Sequence, residues 1–291
     1  MTLLHAIILG LVQGLAEFLP ISSSGHLAIL EQILHVKNAG MVFDVMLHFG
    51  TLVAIFAAFW GDIKKLVTEG IYIIRDAVIN VIIFFKNFNK PVRDKAAYRK
   101  IVNSSYRKFV MLIIVSTIPT GILGVVLEKA IGAAASSLIV VGICLLITGG
   151  LLLLSDMAGS GTKHPKQVTY REAGIIGIVQ GLATFPGISR SGSTITACLL
   201  CGFDKSFAVR YSFIMSVPAV LGAVVLQIKD FTALSITGKE MLYYAIGTLV
   251  AAVVGYICIK TMLVLVRGKK YKYFAYYCFL AGAFSILWEL A

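Results

Sequence analysis

Six apolar segments, separated by polar stretches, dominate the hydrophobic pattern of this chain. Each is long enough to cross the hydrocarbon layer of a bilayer, which is about 30 Å thick. They contain few charged residues, as membrane-spanning helices do. We therefore predict six transmembrane helices at Phe43–Trp60, Phe109–Leu127, Leu138–Leu154, Phe207–Ile228, Met241–Val266 and Tyr273–Leu290.

Two further apolar blocks are interrupted by breaks rich in proline, serine and glycine. Ala6–Gly25 and Ala173–Gly192 align without a gap, at a constant register of 167 residues, and are identical at 13 of 20 positions. The chain therefore consists of two related halves. Irregular backbone at membrane depth is tolerated only where it is buried in protein or lines a wet cavity. The two blocks thus predict re-entrant helical hairpins.

The distribution of Lys and Arg predicts the orientation. Residues 64–108 hold eleven of them and residues 267–272 hold four, so both stretches should be cytoplasmic. An odd number of crossings then separates the two hairpins, which makes the halves inverted and leaves both termini outside. The segment Thr68–Phe88 is apolar but interrupted by charges, and it predicts an interfacial helix.

The fold class expected from this pattern is an all-α integral membrane protein of two inverted-topology repeats, residues 1–155 and 156–291. Each repeat comprises a re-entrant helical hairpin plus three transmembrane helices. The composition agrees, since 58% of the 291 residues are hydrophobic and 14% are charged, against about 25% charged in soluble proteins.

Net charge and cysteine usage exclude two function classes. The formal charge of +12 comes from basic residues in loops beside apolar segments, which is the pattern of cytoplasmic membrane loops rather than of a nucleic-acid-binding surface. The five cysteines all lie in apolar stretches. Cys198 and Cys201 form a C-x-x-C without a second pair or a nearby histidine, so we expect packing residues and no metal set.

The differences between the two hairpin blocks point to chemistry. The first copy carries Glu17 and His26, and the second carries Arg190, where the other copy has an uncharged residue. The residues at the equivalent positions are Thr184, Ser193 and Ser23. One half therefore supplies acid–base groups and the other a fixed cation, and together they predict one site for an anion.

Gln13 and Glu17 lie on one helix face because they are four residues apart. A carboxylate within a membrane is costly and is by default a functional hypothesis. The alternative is a structural salt bridge. Asp44 and His48 have the same spacing at the start of a predicted span, where they either flank the site or serve packing and capping.

The breaks PISSSGH at 20–26 and PGISRSGST at 186–194 suit helix N-termini with hydroxyl caps. Such ends bind phosphate through free backbone N–H groups and the helix dipole, and arginine grips phosphate bidentately. The alternative is a pair of plain helix-breaking turns. The predicted substrate-binding residues are Gln13, Ser22, Ser24, Gly25, Gly187, Ser189, Ser191 and Thr194.

The predicted catalytic residues are Glu17, Ser23, His26 and Arg190. A serine hydroxyl needs a base to become a good nucleophile, and His26 follows Ser23 by three residues. Glu17 could orient the histidine, act as base itself, or help to hold a divalent cation. Mg²⁺ binds few carboxylates and several substrate phosphate oxygens. The sequence alone does not choose among these roles.

These motifs resemble those of the undecaprenyl-diphosphate phosphatase family, the bacterial membrane proteins linked to bacitracin resistance. Gln13 and Glu17 match the family's first motif, Glu or Gln followed after three residues by Glu, which continues here into PISSSGH. The second motif, P-G-x-S-R-S-x-x-T, is matched in full at 186–194. Many members have Glu at the position of Gln13, which weakens the expectation of a metal ligand there.

The resemblance implies a phosphatase that converts undecaprenyl diphosphate to undecaprenyl phosphate, the lipid carrier for cell-wall peptidoglycan, and so confers bacitracin resistance. It also implies a multi-pass enzyme of the bacterial inner membrane, stimulated by a divalent cation (Mg²⁺ or Ca²⁺, with Glu17 as candidate ligand), whose site opens to the outer face. The expected partners are a polyprenyl diphosphate lipid and membrane lipids, and the oligomeric state is open, with a homodimer as one candidate.

A transporter or flippase for an anionic polyprenyl lipid is the alternative function. It rests on the inverted repeats and hairpins, which transporters also use. Glu17 and His26 near serines favour hydrolysis, because a carrier needs charge complementarity but no nucleophile.

Overall fold

A computed structural model describes residues 1–36, 40–88, 90–159, 161–231, 237–265 and 271–291. Within these ranges the chain forms twelve α-helices. They are α1 Leu3–Phe18, α2 Ser23–Ile33, α3 Gly40–Ala58, α4 Trp60–Asn87, α5 Ser105–Val126, α6 Glu128–Ala135, α7 Leu138–Met157, α8 Tyr170–Leu182, α9 Arg190–Leu200, α10 Lys205–Phe231, α11 Gly238–Leu265 and α12 Tyr271–Leu290.

Five of the described helices are long and apolar enough to cross a membrane, namely α5, α7, α10, α11 and α12. A sixth crossing is obtained when α3 and α4, which meet at an angle of 87°, are counted as one broken span. The protein is therefore a multi-pass membrane protein. The predicted span Phe43–Trp60 corresponds to α3, which ends at Ala58. Val266 and most of the basic stretch 267–272 lie outside the described residues.

Both repeat blocks form a helix, a break and a second helix, as predicted. In the first block α1 ends before Pro20, and Leu19 is extended because a residue that precedes proline avoids the helical conformation. In the second block the break contains Gly187, whose φ of +94° favours glycine. The predicted serine caps are present, since Ser22 and Ser189 each accept a backbone N–H bond in the first turn of α2 and α9.

One predicted boundary was wrong, and one short helix was not predicted. The helix predicted at Thr68–Phe88 begins eight residues earlier, at Trp60, because the Lys and Asp residues before Thr68 are compatible with helix and do not end it. The short helix α6, which follows α5 directly, was not predicted. Its Glu and Ala residues favour helix without forming a segment apolar enough to stand out.

Each half packs the first helix of its hairpin against a helix of the other half. α1 of the first half packs along α11 of the second, and α8 of the second packs along α5 of the first. A Cβ on Gly10 would lie 2.4 Å from the Gly247 carbonyl oxygen, and a Cβ on Gly177 would lie 2.2 Å from that of Ser116. Gly10 and Gly177 are equivalent in the repeat, so one small-residue contact is used twice.

We expect Gly177→Ala to destabilise the α5–α8 contact by about 1–3 kcal/mol, because the added methyl group overlaps the Ser116 backbone. Gly174 on the same helix is a matched control, since nothing lies within 4 Å of its Cβ position. Gly174→Ala should leave stability unchanged or raise it by up to about 1 kcal/mol. Thermal unfolding in detergent measures both, and equal midpoints for the two variants would contradict the close packing.

Candidate active site

Glu17 lies at the centre of the candidate site, in the last turn of α1, and is buried. The Ser23 hydroxyl donates a hydrogen bond to Glu17 Oε2 at 2.6 Å. Arg190 Nη2 donates to the other carboxylate oxygen, Oε1. Ser23 and Arg190 occupy equivalent positions in the two hairpins, each in the first turn of its second helix. The structure therefore brings both halves of the predicted site onto one carboxylate.

Gln13 lies one helical turn before Glu17 and is wholly buried. Its Nε2 donates to Glu17 Oε2 at 3.1 Å and lies 3.0 Å from His48 Nδ1. His48 Nδ1 is 3.7 Å from the same carboxylate oxygen. Gln13 thus holds the carboxylate in place through this hydrogen bond, and His48 of α3 lies at the edge of the site.

The His26 side chain makes no hydrogen bond to Ser23. Its Nδ1 lies 2.7 Å from the Ser22 carbonyl oxygen, and its Nε2 lies 2.7 Å from Tyr277 Oη on α12. Because a carbonyl oxygen only accepts, Nδ1 carries the hydrogen. The group placed to take the Ser23 proton is therefore Glu17, and the pairing of His26 with Ser23 that the three-residue spacing suggested is not formed.

The spacing of Ser23 and His26 suggested that they pair, but two side chains in the same turn of a helix can point to different partners. Ser23 is the first residue of α2 and reaches back to α1, whereas the His26 ring stacks on Tyr277, with 5.5 Å between ring centroids. Tyr277 was not among the predicted site residues. It is one of several tyrosines on α12, and no sequence signal distinguishes it from its neighbours.

The N-termini of α2 and α9 meet next to Glu17. A Cβ on Gly25 would lie 2.9 Å from Gly187 Cα, so the two breaks are in direct contact. Thr148 of α7 fixes the second break, since its hydroxyl donates to the Gly187 carbonyl and accepts from the Ser189 N–H, both at 2.9 Å. Two helix N-termini thus direct their N–H groups and positive dipole ends into one region, which favours an anion.

The predicted hydroxyls divide into two groups. Ser24 and Ser191 lie 3.4 Å from the capping serines of their own hairpins, and so belong to the two helix starts. Thr194 lies deeper and is wholly buried. Its hydroxyl lies 2.5 Å from Ser212 Oγ and donates to the Arg190 carbonyl at 2.8 Å. The structure therefore places Thr194 behind Arg190, as support for its backbone.

Arg190 retains capacity for a ligand. Among the described residues, its buried Nη1 has no hydrogen-bond partner, whereas its Nη2 is bonded to Glu17. A buried donor without a partner costs free energy. An anion at the helix N-termini would satisfy this group, which is consistent with the anion site expected from the sequence.

A cavity of about 410 Å³ adjoins the site between α2, α3 and the α6–α7 connection. Its lining includes Ser24, His48 and Pro186, which lie in or beside the site, and the two acidic residues Glu31 and Asp44. Such a cavity gives a phosphate group room to enter or leave.

The residues of the site do not fit a metal ion held by the protein alone. No group of three or more His, Cys, Asp or Glu side chains is placed to hold a metal in the described ranges. Both oxygens of Glu17, the predicted ligand, are already engaged by Arg190 and Ser23.

Comparison with known proteins gives concordant matches. The family model described as bacitracin resistance protein BacA matches residues 6–284. A protein of Methanosphaera stadtmanae named undecaprenyl-diphosphatase is 43% identical over 98% of this chain and 97% of its own length. Proteins of the same name from Halothermothrix orenii and Alkaliphilus metalliredigens are 40% and 38% identical, the first over 99% of this chain and 98% of its own length, the second over 100% of both.

Proposed function

The chain belongs to the family of the bacitracin resistance protein BacA, and we propose that it hydrolyses undecaprenyl diphosphate to undecaprenyl phosphate and inorganic phosphate. Relatives that align with this chain over nearly their whole length are named for this activity. The product is the lipid carrier for peptidoglycan synthesis, and its regeneration confers resistance to bacitracin. The chain is thus a membrane phosphatase whose substrate is a lipid.

One observation carries this function, namely the 2.6 Å hydrogen bond from the Ser23 hydroxyl to Glu17 beside the Arg190 guanidinium. It combines a nucleophile, a base and an anion-binding group. A flippase requires no nucleophile–base pair, so this geometry favours hydrolysis. The purified protein in detergent should release phosphate from undecaprenyl diphosphate, whereas a flippase would release none.

In the first step Glu17 accepts the proton of Ser23, and Ser23 Oγ attacks the terminal phosphorus. The bond between this phosphorus and the bridging oxygen breaks, and its electron pair leaves with undecaprenyl phosphate, which takes the proton from Glu17. Arg190 and the N–H groups at the starts of α2 and α9 stabilise the negative charge on the transferring phosphoryl group.

In the second step water attacks the phosphoserine and gives its proton to Glu17. The bond between phosphorus and Ser23 Oγ breaks, inorganic phosphate leaves, and Ser23 recovers a proton from Glu17. His26 acts on this centre through the Ser22 carbonyl, which it binds, and is itself held by Tyr277. It thereby fixes the turn that presents Ser23.

We propose that a divalent cation, Mg²⁺ or Ca²⁺, would be held mainly by the substrate rather than by the protein, because Mg²⁺ prefers substrate phosphates and few protein ligands. This placement agrees with the single carboxylate of the site and its occupied oxygens. The cation would neutralise charge on the diphosphate.

Ser23→Ala should lower kcat by about 10²–10⁴-fold, because it removes the nucleophile that Glu17 activates. Ser105→Ala is the matched control, since Ser105 is exposed at the start of α5, away from the site. Phosphate release under saturating substrate measures both variants. A mild effect of Ser23→Ala would show instead that water attacks the phosphorus directly.

We also propose the inverted arrangement of the two halves in the inner membrane, with the site opening to the outer face. Its support is the reciprocal packing of α1 with α11 and of α8 with α5, together with the basic stretch 64–108, which covers most of α4, the connection after it and the start of α5. Inverted repeats with interrupted helices that meet near the midplane are a known membrane architecture.

Cysteines introduced near Met1 and near Ala291 should react with an impermeant thiol reagent in intact cells, because both termini are expected outside. A cysteine at Lys95, in the basic stretch, should react only after the cells are permeabilised. The five native cysteines are first replaced. Labelling at Lys95 in intact cells, or protection of both termini, would overturn this orientation.

A further inference from the structure

The polar face of α4 is already used within the molecule. Asp62, Glu69 and Asp76, which are seven residues apart, lie along one side of this helix. Asp62 accepts a hydrogen bond from Tyr106 Oη at 2.8 Å. Arg107 of α5 binds Glu69 at 2.8 Å and Asp76 at 2.7 Å. This face therefore attaches α4 to the start of α5.

The same face holds the connection that follows the helix. The Asn80 side chain bonds both the N–H and the carbonyl of Arg99, at 2.7 and 2.9 Å. The Asn87 side chain bonds the N–H and the carbonyl of Ala96, both at 2.9 Å. The polar groups of α4 on this side are thus paired with protein.

The opposite face of α4 is apolar and uncovered. Its residues recur every three or four positions, as one stripe along the helix, and each is more than half exposed. They are Val67, Ile71, Ile74, Val78, Val81 and Phe85. A stripe of this length exposed to water is unfavourable, and it marks a surface that contacts lipid or another protein.

A basic row follows one border of this stripe. Lys64, Arg75 and Lys86 follow one another at intervals of eleven residues, which is about three helical turns. All three are exposed, but the Arg75 guanidinium is bonded to Asp76 on the polar face, which leaves the two lysines for a partner outside the protein. All three acidic residues of α4 lie on the paired polar face. Long basic side chains at such a border extend their charge to lipid headgroups while their methylenes cover apolar surface.

We infer that α4 lies flat on the membrane, with its apolar stripe in the acyl boundary and Lys64 and Lys86 bound to the phosphates of anionic lipids. The 87° angle between α3 and α4 supports this placement. If α3 is the part of this bent pair that enters the membrane, as its apolar composition favours, a helix perpendicular to it runs parallel to the bilayer. A basic edge beside a wide apolar face is typical of interfacial helices.

A second copy of the chain fits this stripe less well. Helix pairs that meet along such a seam use complementary charges at its two borders. Here one border is basic, and the other carries Gly70, Ala77 and Phe84. A partner α4 would therefore find no acidic residue to pair with the lysines.

Spin labels in the full-length, cysteine-replaced protein in nanodiscs test the placement. Labels at Ile74, Val78 and Val81 should be accessible to oxygen and shielded from a water-soluble nickel chelate, at a depth of about 5–10 Å below the headgroups. A label at Lys95 is the water-exposed control. Equal chelate accessibility at all four positions would overturn the inference, as would dipolar broadening showing that a second copy covers the stripe.

The preference for anionic lipid is tested separately with spin-labelled phosphatidylglycerol. The double variant Lys64→Gln, Lys86→Gln should weaken its association by about 5-fold for each lysine, or about 25-fold in all. The control pair Lys95→Gln, Lys100→Gln removes the same charge from the exposed connection and should change association by less than about 2-fold. Equal effects of the two pairs, or no effect of the first, would contradict headgroup binding by the basic row.

Discussion

Arg190→Ala is expected to lower kcat for undecaprenyl diphosphate by about 10²–10³-fold, the usual cost of losing a preorganised charge at a reacting group. In the structure Arg190 bonds Glu17 through Nη2 and keeps its buried Nη1 free of hydrogen bonds to the described residues. It can therefore grip the phosphate without leaving the catalytic centre. Arg190→Lys should also be poor, because a point charge does not replace a planar fork.

Phosphate release by the purified variants measures this effect. Arg171→Ala is the control for loss of one positive charge, since Arg171 is exposed at the start of α8. Thermal unfolding shows whether each variant is folded. Turnover near that of the wild type in Arg190→Ala would exclude the phosphate-binding role.

Glu17→Gln is expected to lower kcat by about 10²–10⁴-fold, the range for loss of a general base. Glutamine keeps the shape of the side chain but does not take the proton of Ser23. The second hairpin forms the same fold with Thr184 at the equivalent position. The architecture therefore does not require the carboxylate, and the variant should insert and fold.

Glu128→Gln on α6 makes the same chemical change away from the site and serves as control. Both proteins should elute as single species in detergent before their rates are compared. Wild-type hydrolysis by folded Glu17→Gln would remove the base from the proposed mechanism.

The repeat is the reason that much of the site could be predicted from the sequence. Two copies of one hairpin differ at few positions, and the differences at Glu17 and Arg190 indicated one shared site before any geometry was known. The caps at Ser22 and Ser189 followed from local chemistry, since serine before a helix satisfies free N–H groups. These features depend on neighbours in sequence or on the internal repeat.

The remaining features depend on how distant helices dock. Tyr277 reaches His26 across 251 residues, and spacing along one helix predicts a face but not the partner that covers it. For the same reason the sequence left the base for Ser23 open between His26 and Glu17. The start of α4 at Trp60 was missed because Asp62, Lys64 and Lys65 interrupt the apolar pattern there. Asp62 is in fact paired with Tyr106 of α5 and Arg210 of α10.

Trapping the covalent intermediate tests directly whether Glu17 activates Ser23 for attack on the diphosphate. Enzyme mixed with undecaprenyl diphosphate that carries ³²P in its terminal phosphate is quenched in acid within one turnover and mapped by mass spectrometry. We expect a labelled phosphoserine at Ser23 in the wild type and none in Glu17→Gln. Active enzyme that releases labelled phosphate with no label on Ser23 at any quench time would contradict this mechanism.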